Sequence, residues 1–195
     1  MSDVLVFRSP CVGALKDIGP AATAGVFVCE ESKRQVASVI ARSPMADLAA
    51  RLDSTFGLKL VAGTKTSSAG GLTFVGTGPR AWLALTESPD NLAGSLRKAL
   101  GETAAVADQS SGYTVFCISG PKARATFEKG LGVDLHPRAF QPGDAASTSC
   151  AHLNVVIWQI DAQPIYELAV ARSFAGAFCH WLSESAAEYG LKVLP

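Results

Sequence analysis

LTFVGTGPRAWLAL, residues 72–85, can be built in two ways that lead to different folds. Gly76-x-Gly78-x-x-Ala81 has the spacing of a dinucleotide-binding turn, in which glycines lead from a strand into a helix whose amides receive a pyrophosphate. That reading asks for a helix from Pro79. The run instead ends at Ser88-Pro89, which reads as the N-cap and first position of the next helix. It also asks for an acidic residue in a strand about 20 residues on, and none stands in that context. The alternative is a hairpin: LTFV up, GTGP as the turn, RAWLALTE down. The hairpin is the better fit, and it implies an antiparallel sheet.

Working outward, SPDNLAGSLRKALG follows as a helix with Leu92, Leu96, Ala99 and Leu100 on one face, closed by Gly101. Upstream, RQVASVIA is strand-like. It leads through Ser43-Pro44 into a helix carrying Met45, Leu48, Ala49, Leu52 and Phe56. TAAVA, residues 103–107, adds a short strand. The second half repeats this order. GYTVFCIS is strand-like, and Gly120-Pro121 opens a helix with Ala123, Phe127 and Leu131. VVIWQID and IYELAVAR form a hairpin about AQP. SFAGAFCHWLSESAAEYG is a helix with Phe174, Phe178, Trp181, Leu182 and Tyr189 on one face, capped by Ser173 and ended by Gly190, and LKVL closes the chain.

Both halves read β-α-β-β-α-β. The expected class is therefore α+β, with pseudo-duplicated ferredoxin-like halves, each laying two helices on one face of an antiparallel sheet. The period is about 80 residues, too long for a solenoid. Residues 1–25, with Pro10, Gly13, Gly19 and Pro20, read as an irregular N-terminal arm. Residues 26–195 read as a single domain with pseudo-repeats near 33–108 and 112–195. Two turn-rich loops, 63–71 and 132–149, interrupt the pattern.

Of the 195 residues, 48% are hydrophobic and 17% charged, and the formal net charge is zero. That balance argues for a well-buried fold and against an electrostatic footprint for nucleic acid or an anionic membrane. The cysteines, Cys11, Cys29, Cys117, Cys150 and Cys179, are scattered, odd in number and without a CxxC. They predict no disulfide framework and a reducing, cytoplasmic setting. No signal peptide and no membrane span are expected, since no apolar run approaches ~20 residues.

Sequence motifs offer little chemistry. His136, His152 and His180 lack a second ligand at helical spacing, so no metal site is expected. Neither GxSxG nor a local cysteine signature occurs, and Cys117, between Phe116 and Ile118, reads as a structural thiol. Glu30 and Glu31 would point to opposite faces of a strand and cannot act as a close pair. No catalytic, cofactor-binding or metal residue is assigned. The densest polar cluster is in VDLHPRAFQPGD: Asp134, His136, Arg138 and Asp144, with Phe140 among them. A long loop of this kind serves either as a recognition surface for a partner or ligand, or as an ordered crossover whose charges face water. Asp108 to Gly112, where the halves join, reads as an Asx-type turn.

DQSSGYTVFCISGPKARATFEKGLGVDLHPRAFQPG (residues 108–143) and ARSFAGAFCHWL (171–182) resemble the gamma subunit family of heterotetrameric sarcosine oxidases, and GPRAWLAL extends the likeness into the first half. The resemblance implies a fold related to the folate-binding domain of the glycine-cleavage aminomethyltransferase. It implies a complex with alpha, beta and delta subunits that oxidises the N-methyl group of sarcosine and passes the one-carbon unit to tetrahydrofolate. FAD, FMN, NAD and zinc would belong to those other subunits, and this chain would hold no cofactor. Asp134, His136, Arg138 and Phe140 then become expected partner contacts. Three alternatives stay open: a free-standing folate-binding or aminomethyltransferase-like protein, a subunit of a related N-methylglutamate dehydrogenase, and a regulatory ligand-binding module.

Overall fold

A strand buried on one face alternates apolar with polar residues, but Val155–Gln159 and Tyr166–Val170 are buried without interruption. The computed structural model, which describes residues 9–11, 13–20 and 23–195, shows the reason. Two sheets lie face to face, and helices cover the outer face of each.

The five-stranded sheet has the order β3 (Thr66–Ala69), β4 (Leu72–Gly78), β5 (Ala81–Thr86), β2 (Gln35–Ala41), β6 (Ala104–Asp108), and every pairing is antiparallel. The six-stranded sheet has the order β11 (Leu191–Val193), β1 (Val26–Glu30), β7 (Tyr113–Ser119), β10 (Ile165–Ala171), β9 (Leu153–Asp161), β8 (Ala145–Cys150). There only β1 and β11 run parallel. Helices α1 (Met45–Phe56) and α2 (Leu92–Leu100) pack on the first sheet through Leu48, Leu52, Leu96 and Leu100 against Val39, Phe74 and Trp82. Helices α3 (Ala123–Phe127) and α4 (Ala175–Ala186) pack on the second through Phe127, Phe178 and Leu182 against Phe116, Ile157 and Tyr166. Between the sheets a third core forms from Val36, Val75, Leu83 and Leu85 on one side and Val115, Val156, Trp158 and Ala169 on the other. The chain is thus a mixed α+β protein in four layers.

The hairpin of residues 72–86 is present, with its turn shifted. β4 runs on through Gly78 with an irregular register at Gly76 and Gly78. Pro79 and Arg80 make the turn, Arg80 at φ 61°. Gly76 has a packing reason: a Cβ there would stand 1.9 Å from the carbonyl oxygen of Gly63. The glycine spacing therefore serves a close backbone crossing in an antiparallel hairpin, and no helix N-terminus is present to take a pyrophosphate.

Other expectations need correction. Each turn-rich loop carries an edge strand, β3 within 63–71 and β8 from residue 145 of the second loop. β1 sits between β11 and β7, outside the expected order of the second half. α3 covers only five residues, and Gly130 faces the Trp181 ring too closely for a side chain (2.9 Å to a Cβ). α2 starts at Leu92, capped by Asn91, whose Oδ1 accepts from Gly94 N at 2.8 Å, so Ser88 is not its cap. A 3-10 turn, Arg172–Phe174, leads into α4. Ser173 makes no cap bond there, and Phe174 is 50% exposed rather than on the apolar face. Residues 9–11 and 13–20 of the arm lie on the chain's own domain. Ile18 exchanges two backbone hydrogen bonds with Leu191, at 2.8 and 2.9 Å, and Asp17 Oδ1 accepts from Val193 N at 2.9 Å. The arm thereby covers the open edge of β11.

Candidate functional site

The loop of residues 132–144 is held by its own polar groups. Asp134 Oδ1 accepts from His136 N at 2.8 Å, and His136 Nδ1 accepts from Arg138 N at 3.2 Å. The His136 carbonyl accepts from Ala139 N and Phe140 N at 2.8 and 2.9 Å. Two apolar side chains, Leu135 and Phe140, plug into the core beneath the six-stranded sheet. The structure therefore leaves Asp134, His136 and Arg138 exposed together and corrects the expectation for Phe140, which is 5% exposed and serves as an internal anchor. Asp144 separates from the cluster. It pairs with Lys65 where the two sheets meet, beside backbone bonds from Thr66 N to Gly143 O (2.8 Å) and from Ala145 N to Thr64 O (3.0 Å). Burial works to raise the Asp144 carboxyl, but the Lys65 ammonium and the Gln141 N–H outweigh it and hold the group below its ordinary value.

A second constellation was not legible in sequence. The turn between β1 and β2 carries the chain from one sheet to the other, and Arg34 projects from it. Its Nη2 lies 2.5 Å from Glu167 Oε1 on β10, its Nε 3.3 Å from Glu87 beyond β5 and 3.9 Å from Glu31. Glu167 is cross-strand neighbour to Trp158, whose Nε1 donates to Glu167 Oε2 at 2.9 Å. A cleft of about 360 Å3 opens beside them, lined also by Gln159, Thr66 and Ser68. Burial pushes the Glu167 carboxyl above its ordinary value, and Arg34 and the Trp158 N–H pull it back. This is an ion cluster that ties both sheets to the crossover. The one signal in sequence was an acid inside the apolar strand IYELAVAR, since a charge buried there needs a partner. The partner, 133 residues away, carries no local mark.

Cys117, on β7 beside Glu167, has its thiol pushed up to about 11, chiefly by burial and then by Glu167, so it is protonated at neutral pH and a poor nucleophile. His152 lies in the turn between β8 and β9 at φ 69°, and His180 is on the exposed face of α4. The histidines are not brought together. Among the described residues no group of three or more His, Cys, Asp or Glu is placed to hold a metal ion. Asp108 makes the expected turn: its Oδ1 accepts from Ser110 N at 2.9 Å and from Ser110 Oγ at 2.7 Å. Those bonds hold its carboxyl below the ordinary value. Glu30 and Glu31 diverge, one accepting from Ser9 and the other facing Arg34. Among the described residues, no helix is long and apolar enough to cross a membrane.

The profile of the sarcosine oxidase, gamma subunit family matches residues 41–188. The chain is 33% identical over 187 residues to a sarcosine oxidase subunit gamma of Arthrobacter sp., covering 93% of this chain and 91% of that relative. It superposes with a TM-score of 0.82 and 26% identity on a chain of a heterotetrameric sarcosine oxidase from Corynebacterium sp. U-96 in complex with pyrrole 2-carboxylate, covering 94% of this chain and 96% of that one. A glycine cleavage system aminomethyltransferase T from Bartonella henselae shares the fold, with a TM-score of 0.65, 13% identity, and coverage of 88% of this chain and 48% of that one.

Proposed function

The chain belongs to the sarcosine oxidase gamma subunit family, and from that premise we propose that it is a non-catalytic gamma subunit supporting assembly of a heterotetrameric sarcosine oxidase. Its partners are the alpha, beta and delta subunits. The assembly oxidatively demethylates sarcosine and passes the one-carbon unit to tetrahydrofolate in the cytoplasm. FAD, FMN, NAD, zinc and tetrahydrofolate are held by the other subunits. The observation that carries this reading is the near full-length correspondence, in both directions, with a chain of a heterotetrameric enzyme of that name.

Three features of this chain support it. The hairpin at Gly76 does not fit a dinucleotide. Glu167, the buried charge of the inter-sheet cleft, is engaged by the half-buried Arg34 and by Trp158. Asp134, His136 and Arg138 form an exposed polar surface on a loop anchored from below, a form suited to docking. We read the fold as two ferredoxin-like halves. One is β2-α1-β4-β5-α2-β6, with sheet order β6-β2-β5-β4. The other is β7-α3-β9-β10-α4-β11, with β1 inserted between β11 and β7. β3 and β8 then extend the same edge of each half.

The test is to express the chain with an affinity tag in its own host and identify what co-purifies. A yellow eluate with three further subunits is the expected result. A colourless, stable, monodisperse single chain would overturn the reading.

A further inference from the structure

Two cysteines far apart in sequence meet at the base of the N-terminal arm. Cys179 on α4 is fully buried, and Cys11 is 7% exposed. Their sulfurs stand 3.2 Å apart, with the Cys179 thiol donating to Cys11, and both are free thiols. The other cysteines behave differently. Cys29 and Cys117 are register partners on β1 and β7, and Cys29 directs its thiol to the carbonyl of Pro195 at 3.1 Å. Cys150 is buried, and only its own burial raises its thiol. Among the described residues, Cys11–Cys179 is the pair in which sulfur touches sulfur.

We propose that Cys11 and Cys179 form a redox latch, which hydrogen peroxide closes into a disulfide that ties the N-terminal arm to α4. The sulfurs need only close from 3.2 Å to about 2.0 Å. Cys11 reacts first, because it is the less deeply buried member, 7% exposed where Cys179 is fully buried. The contact with Cys179, and then burial, raise the Cys11 thiol above its ordinary value, so it is the minor thiolate form that attacks one peroxide oxygen. The O–O bond breaks, Cys11 becomes a sulfenic acid, and the other oxygen leaves as water with the thiol's proton. Cys179 sulfur then attacks the sulfenic sulfur. The S–O bond breaks, the hydroxyl leaves as a second water with the Cys179 proton, and the S–S bond forms. Two thiols and one hydrogen peroxide give one disulfide and two waters, and the two electrons lost by sulfur reduce the peroxide.

The latch would change what the arm does. In the reduced chain the arm near Cys11 is fixed by a hydrogen bond from Cys11 N to Ser9 Oγ at 3.0 Å and by Ser9 on Glu30. Farther on, the Ile18–Leu191 bridge holds it to β11. A covalent bond spanning 168 positions would instead constrain most of the unfolded chain, raising Tm by about 10 °C.

The experiment exposes the purified full chain, in whatever assembly it forms, to hydrogen peroxide and then alkylates the remaining thiols. Peptides are mapped without reductant, and thermal unfolding is followed with and without dithiothreitol. The proposal expects a cross-linked peptide pair containing Cys11 and Cys179, two hydrogens lighter than the sum of its parts. It also expects a Tm rise of about 10 °C that dithiothreitol reverses. Cys11→Ser should abolish both while leaving the reduced fold intact. Sulfinic acid at either cysteine without a cross-link, a cross-link between other cysteines, or unreacted thiols would each overturn it. The wild-type map decides the matter even where a variant fails to fold.

Discussion

Replacing Arg34 by alanine removes the cation that faces Glu167 across 2.5 Å and leaves that carboxylate, 6% exposed, with the Trp158 N–H. Stranding one member of a buried ion pair costs about 3–5 kcal/mol. The retained indole bond and the 17% exposure of the Arg34 side chain place this case at the lower end, about 3 kcal/mol. For a chain of this size that lowers Tm by roughly 6–12 °C. The loss should depend on pH. Burial already raises the Glu167 carboxyl above its ordinary 4.5, and loss of Arg34 raises it further. A group whose folded pKa is raised binds its proton more tightly in the folded state. Stability therefore falls as pH climbs from the unfolded value through the folded one. The deficit of Arg34→Ala should thus be larger at pH 8 than at pH 5. Adding Glu167→Gln should recover about 1–2 kcal/mol at pH 8, because a neutral amide tolerates burial better than an unpaired charge. Urea unfolding of the wild type and the two variants at both pH values reads this directly. A deficit below about 1 kcal/mol that is equal at the two pH values would mean a solvated pair, and would refute the account of how the sheets are tied.

Gly76→Ala should destabilise the chain by about 2–3 kcal/mol or prevent folding, since its Cβ would sit 1.9 Å from Gly63 O and the neighbour is backbone; denaturant unfolding measures it. Phe127→Ala should cost about 3–5 kcal/mol by the same measurement. That ring is fully buried and lies against Tyr166 at 5.6 Å and Trp181 at 6.3 Å. Arg138→Glu should change the stability of the chain by less than about 0.5 kcal/mol, because the side chain is exposed. It should nevertheless lower the amount of partner subunits recovered on an affinity tag.

The parts of the fold that were legible in sequence are those written in local pattern. The β4–β5 hairpin and the faces of α1 and α2 follow from apolar spacing within one short segment. β3 and β8 were not legible because TSSA and AASTSC carry no apolar alternation. They become strands by pairing with β4 and β9. A strand at Glu30 was expected, but its place in the sheet was missed because that place is set by β7 and β11, which lie far along the chain. At the loop of residues 132–144, the polar residues that stand out in sequence are the exposed ones. Phe140 misled, because a long loop on a scaffold is fastened by apolar side chains that turn inward, as Leu135 and Phe140 do. Arg34 and Glu167 show the converse. A charge in an apolar strand announces that a partner exists without saying where it is.

The central claim, that this chain supports assembly and takes no part in the chemistry, is met most directly by preparing the heterotetramer with and without it. The assay follows flavin reduction by sarcosine in a stopped-flow spectrometer, normalised to bound flavin, beside the yield of intact complex. The account predicts that omitting the chain lowers the yield while the reduction rate per flavin in the remaining assembly is unchanged. A remaining assembly that is intact and flavin-loaded but no longer reduced by sarcosine would contradict it.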